Sequence, residues 1–434
     1  MNIFKAGAAK EITTPPIGTF LYGYTPDMYS DSVHDDLSVT CLAVSQNNET
    51  ALLITAEIGD IQNKLTEEIL ERLSEETGIP VKNMIIASTH THSAPNLSGT
   101  VGWGELNREY FDTIFFPATV KAVKKAIESL SPAEISIGVT ESLVGINRRV
   151  QLENGEIGLG QNPHGCFDPN MTVVSIRNSE TKEGILNLIH YGCHGTATGC
   201  NHEITRDWSG IMIDRLQTET GTLTAFFNGA IGDVGPRLTN GKTTGNISYT
   251  EELGGVAATD AMRAYKNKGG YHTGELKIFT DEVRLPYKEM PSIEEAEKIL
   301  SEFEEPEKLI NISKLKYEHY KETYEFLKNP TCEIPGFFSY PQTIISLGDI
   351  VFIPFPFEMF SEIIMRLRDY SPYPYTLCLS CANGYNVYLP SEDQLCRGGY
   401  EVGCFMYGHL FPLSEKTDQN IINENLRIIR KNLK

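Results

Sequence analysis

Short runs dense in branched apolar residues alternate along this chain with segments whose apolar residues recur every three to four positions, and that alternation restricts the fold most. Runs at 38–45, 51–56, 83–88, 134–140, 172–177, 185–190, 222–227, 275–285, 343–347, 350–353 and 375–380 have the length and polar boundaries of strands. Helical spacing marks 65–77, where Leu65, Ile69, Leu70 and Leu73 share one face. It also marks 110–130, 211–218, 252–265, 292–303, 305–327, 358–368 and 420–431. Interleaved strands and helices predict an α/β protein, and the unequal connections predict mixed β-sheets flanked by helices. Residues 1–434 read as a single domain, with 288–330 a charged helical insertion within it. Glu and Lys dominate that stretch while its Leu and Ile keep helical spacing, so its charges are expected on a solvated face.

Charge narrows the class of partner. Lys and Arg number 37 against 57 Asp and Glu, a net charge of −20, which argues against binding nucleic acid or an anionic bilayer surface. The nine cysteines are odd in number and irregular in spacing, so reduced thiols are expected. The N-terminus reaches Lys5 and then Lys10-Glu11 without an apolar signal core. No stretch approaches the ~18 uninterrupted apolar residues that span a bilayer. These features predict no integral membrane segment, a cytoplasmic location and a small-molecule substrate, and they leave the oligomeric state open.

Polar residues with chemical capacity gather just after the apolar runs. In Ser88-Thr89-His90-Thr91-His92-Ser93, two histidines two residues apart at a strand's end are expected to face one pocket. They could bind one ion together or divide into a ligand and an acid/base group. A second cluster, His190-Tyr191-Gly192-Cys193-His194-Gly195-Thr196, has glycines that let the chain turn and expose the imidazole. Cys193, His194, Cys200 and His202 are too compressed in spacing for the usual structural zinc arrangement, and Cys378 and Cys381 read as strand packing. Asn228-Gly229-Ala230-Ile231-Gly232-Asp233-Val234 is a glycine-rich turn with neither a phosphate-loop ending nor a dinucleotide fingerprint. Glu358 follows an apolar run in which a carboxylate needs a partner, a metal among the options.

In their order, His90-Thr-His-Ser93, Asn147-Arg148, His194-Gly-Thr196, Asn228 to Val234, Glu358, Asn383-Gly-Tyr385 and Gly399-Tyr-Glu401 resemble the neutral/alkaline non-lysosomal ceramidases and their bacterial relatives. The opening Ala6-Gly-Ala-Ala-Lys-Glu-Ile-Thr13, Pro15-Pro-Ile-Gly18 and His34-Asp-Asp-Leu37 are similar to that family's N-terminus. The resemblance implies one catalytic Zn2+ held by His90, His194, Glu358 and Tyr400, with His92 and Arg148 acting on the substrate. Asp233 joins them as a candidate catalytic residue, and Asn228 and Tyr385 as candidate substrate contacts. Asp207 and Asp233 are candidates to orient a ligand histidine.

Two departures qualify the resemblance. Gly235 stands where ceramidases proper carry a serine in a Gly-Asp-x-Ser-Pro turn, and ceramidases of known activity are longer, with an added C-terminal β domain. The reading is therefore a zinc-dependent hydrolase of a linear amide bond that acts through activated water on a soluble small molecule rather than ceramide. The alternatives are an ester or sugar-like substrate on the same zinc, and a ligand-binding relative without turnover.

Overall fold

The computed structural model describes residues 3–432. Its largest sheet has eight strands in the order Thr224–Asn228, Gly184–Tyr191, Asn170–Asn178, Ser131–Glu141, Lys5–Ile12, Ser38–Gln46, Glu49–Ala56 and Met84–Ser88. Most neighbours are antiparallel. The outermost pair at each edge is parallel, Glu49–Ala56 with Met84–Ser88 and Gly184–Tyr191 with Thr224–Asn228. The sheet curls until these edges approach each other, and Thr55 Oγ1 donates to the Phe226 carbonyl across the gap at 2.6 Å. The strand ends that precede His90 and His194 are thereby brought side by side.

A second sheet runs Leu276–Pro286, Phe337–Leu347, Ile350–Pro354 and Tyr375–Leu379, the last two parallel. Its apolar face joins the first sheet in one core, where Ile85, Ala87 and Phe227 pack with Phe352, Leu377 and Ala382. The expectation of an α/β protein with mixed sheets is met.

Several elements depart from the expected pattern for identifiable reasons. Lys5–Ile12 is a central strand despite its poor strand-forming Ala-Gly-Ala-Ala sequence. The helix Phe116–Glu128 crosses it so closely that a Cβ on Gly7 would lie 2.3 Å from the Ala126 carbonyl oxygen. Small residues are what that crossing tolerates. The expected helix at 110–130 starts at Arg108 and passes through a π-helical turn, Phe111–Phe115, ahead of Pro117, which cannot donate a backbone hydrogen bond. The expected helix at 358–368 starts only at Ser361, because Glu358–Met359 pairs with Tyr388–Leu389 as a short parallel ladder. The 288–330 segment forms the helices Ile293–Leu300, opened by a Ser292/Glu295 capping box, and Asn311–Lys328. The second lays Ile312 and His319 against Gly403 and Tyr407 of the helix Tyr400–Tyr407.

Candidate metal centre

The polar cluster is assembled from strand ends by backbone that leaves regular geometry. His90 lies beyond its strand with φ 63°, a left-handed conformation uncommon for a residue with a side chain. That kink, rather than strand alternation, turns both histidines inward, and His92 Nε2 reaches 3.3 Å from His90 Nε2. Val387, a β-branched residue at φ 53°, aims its carbonyl at the Glu358 N–H at 2.8 Å. Asn228 ties the two histidine loops together, donating to the Thr89 carbonyl at 2.8 Å and accepting from the Cys193 N–H at 3.3 Å.

Three acceptor atoms face one another at the centre. His90 Nε2 and His194 Nε2 are 3.2 Å apart, and Glu358 Oε2 lies 3.1 Å from the second and 3.5 Å from the first. Each ring uses its other nitrogen elsewhere. His90 Nδ1 donates to Asp60 Oδ1 at 3.1 Å, and His194 Nδ1 donates to the Ile231 carbonyl at 2.6 Å. Both Nε2 lone pairs are therefore directed at each other and at a carboxylate oxygen that is fully buried without a hydrogen-bond partner. Such a group is costly unless a cation sits among the acceptors. Ligands about 2.0–2.2 Å from a tetrahedral zinc stand roughly 3.3–3.5 Å from one another, close to the separations here. The residues fit a metal.

The electrostatics follow from this arrangement. Burial pushes the His90 imidazole down, but the Asp60 and Glu358 carboxylates outweigh it and raise the group to about 9. His194 is held well below its ordinary value by burial, then by Arg148 and His90. Burial also holds His92 well below, reinforced by His90, His194 and Arg148.

The cluster opens on a narrow cup of about 20 Å³ lined by Tyr22, His92, Trp103, Glu358, Tyr385, Tyr388 and Tyr400. That is room for about one water. Tyr385 Oη donates to Glu358 Oε1 at 2.9 Å, whereas Tyr400 sets its hydroxyl against the Cys404 thiol. Arg148 donates through Nε to Glu401 Oε1 at 2.9 Å and through Nη2 to the Tyr388 hydroxyl at 3.1 Å.

Other expected residues sit elsewhere. Asp207 caps the loop after His194, accepting from Ala197 N, Thr198 N, Thr198 Oγ1 and Trp208 N, while Trp208 Nε1 donates to the His194 carbonyl. It supports the loop and meets no imidazole. Asp233 accepts from Ser361 N and Oγ and from Asn147 Nδ2, so it clamps the turn to the segment after Glu358 and does not reach a ligand ring. Asn228 is fully buried between the loops, which makes it a brace where a substrate contact was expected. Cys200 and His202 turn outward to Met28 and the Tyr29 carbonyl. Cys378 is buried in its strand, but Cys381 brings its thiol within 3.8 Å of His90 Nδ1. The carboxylate on a histidine ring is Asp60, which sequence reasoning passed over. It stands four residues beyond the end of the 51–56 run, a strand-end position of the same kind that marked the histidines.

Residues 4–269 match the family described as neutral/alkaline non-lysosomal ceramidase, N-terminal. The chain belongs to this family. A neutral ceramidase of Mycobacterium tuberculosis is 27% identical over 213 residues, 43% of this chain and 32% of that protein, so the match spans about a third of the relative's length. The crystal structure of neutral ceramidase from Pseudomonas aeruginosa superposes with a TM-score of 0.74 at 16% identity, over 99% of this chain and 75% of that one. A ceramidase complexed with C2 gives a TM-score of 0.73 at the same identity and coverage. These likenesses establish a ceramidase-type fold.

Proposed function

We propose that the chain is a zinc-dependent hydrolase of a linear amide (N-acyl) bond, with water as the nucleophile. The observation that carries this reading is the convergence of three acceptors, His90 Nε2, His194 Nε2 and Glu358 Oε2, the last buried without a hydrogen-bond partner. Membership of a family named for an amide hydrolase supports the bond type. His90, His194 and Glu358 would hold the ion, with Tyr400, which lines the same cup, as the tyrosine ligand. When bound, zinc acidifies water to a pKa of about 7 and polarises a carbonyl oxygen.

The chain's own residues supply the rest. His92, neutral in this setting, takes a proton from the attacking water and returns it to the leaving nitrogen. Arg148, fixed between Glu401 and Tyr388, offers positive charge to the developing oxyanion. Tyr385 orients Glu358 through its carboxylate. No side-chain nucleophile is required at Gly235, where a Cβ would lie 2.8 Å from the Thr243 Cβ. The net charge of −20 opposes docking on an anionic lipid surface, so we assign a soluble N-acyl compound in preference to ceramide. No helix among the described residues is long and apolar enough to cross a membrane.

A panel of soluble N-acyl amides, matched esters and short-chain ceramide, assayed with zinc-loaded protein, tests the assignment. Turnover of soluble amides above the esters and ceramide supports it. Preferential turnover of ceramide, or no turnover of any amide, overturns it.

A further inference from the structure

We infer that Asp60 is a positioning residue for the metal centre, acting through His90 and itself anchored by Tyr22. The inference rests on the proposed metal site and concerns residues on its far side. Asp60 is fully buried and is approached by donors. His90 Nδ1 donates to Oδ1 at 3.1 Å and Tyr22 Oη donates to Oδ2 at 2.5 Å. The Cys381 thiol stands beside this pair, its Sγ 3.8 Å from His90 Nδ1 and within 4.8 Å of an Asp60 carboxylate oxygen. With its Nδ1–H held in this way, the His90 ring is fixed in the tautomer that presents the Nε2 lone pair to Glu358 and His194.

The anchor is built into the local sequence. A Cβ on Gly59 would lie 2.2 Å from Tyr22 Cδ1, so the Tyr22 ring can cross the chain beside Asp60 only because residue 59 is glycine. The same ring then packs edge-on against His90 and His92, at centroid distances of 6.0 and 5.2 Å. Asp60 thus carries both an orientation, through the Nδ1 hydrogen bond, and a charge that raises the basicity of the ligand. Its loss leaves His90 free to rotate or to change tautomer.

The test uses the full chain stripped of metal, as wild type and as Asp60→Asn, Asp60→Ala, Tyr22→Phe and His90→Ala. Zinc affinity is measured by competition with a chromophoric chelator, alongside circular dichroism and thermal unfolding of the metal-free proteins. Asp60→Asn keeps the size and one acceptor oxygen, so it decides the matter if Asp60→Ala does not fold. The expected result is a loss of zinc affinity of about 10–100-fold in both Asp60 variants, with a smaller loss in the same direction for Tyr22→Phe. A purely packing role would lower the unfolding temperature while leaving the zinc affinity of the folded protein unchanged. Wild-type affinity in folded Asp60 variants, with binding abolished in His90→Ala, overturns the positioning role alone. Wild-type affinity in His90→Ala overturns the metal site itself and this inference with it.

Discussion

The Nε2 atoms of His90 and His194 lie 3.2 Å apart with their ring planes at 85°, although each ring has already committed its Nδ1–H to a partner on its other side. Two lone pairs held this close call for a cation. In the metal-free protein that cation is a proton on His90, raised to about 9 by Asp60 and Glu358 against the effect of burial. The stabilisation it brings is complete below the ordinary value of 6.5 and is lost as pH rises through about 9. Zinc must displace the same proton. At about pH 7.5, binding should release one proton from His90, and affinity should fall roughly tenfold for each unit of decreasing pH. Calorimetry in buffers of different ionisation enthalpy reads this directly, and a binding enthalpy independent of buffer would contradict it.

Asn228 joins the loops that carry the two histidines, through Thr89 and Cys193. Asn228→Ala leaves a buried carbonyl and a buried N–H unpaired, a cost of about 1–3 kcal/mol for each. Urea unfolding should show the loss, and zinc affinity should fall because the spacing of His90 and His194 is no longer braced. A variant that is destabilised but binds zinc normally would show that the loops hold their spacing without it.

The space that a side chain at position 235 would need is filled by Thr243. Gly235→Ser should therefore destabilise by about 1–3 kcal/mol through overpacking. Thr243→Gly, which removes both the Cβ and the Cγ2 that a side chain at 235 would meet, should recover most of that loss in the double variant, since residues in contact couple. Additive effects in the double-mutant cycle would place the strain elsewhere.

Glu401 accepts from Arg148 Nε and Arg149 Nη1, and its side chain and both guanidinium groups are buried. Glu401→Ala strands two buried cations and should cost about 3–5 kcal/mol. Arg148→Met leaves the Arg149–Glu401 pair in place. It should keep zinc at wild-type stoichiometry while kcat falls about 10²–10³-fold. An unchanged kcat would remove Arg148 from the reaction.

The α/β class and most strands were legible because burial on both faces writes continuous branched runs, as at 51–56 and 185–190. The strand Lys5–Ile12 was not, since its sequence answers to the helix packed over it and not to strand propensity. His90, His194 and Glu358 were legible as polar residues at strand ends, reinforced by motif order. The reason His90 and His92 converge was not, because a left-handed residue with a side chain leaves no periodic trace. Asp60 and Tyr22 are separated by 38 residues and meet only in the folded chain. Asp207 and Asp233 were the carboxylates expected to orient a ligand histidine, and their hydrogen bonds make them loop supports while Asp60 holds the ring.

Metal content and chelator sensitivity, measured on one preparation with His90→Ala and Glu358→Ala beside the wild type, decide whether this centre is a catalytic zinc site. The expected result is one zinc per wild-type chain, amide hydrolysis that disappears on chelation and returns with zinc, and loss of both metal and activity in each variant. Wild-type protein without stoichiometric zinc, hydrolysis that survives complete chelation, or full metal occupancy in both variants would contradict it.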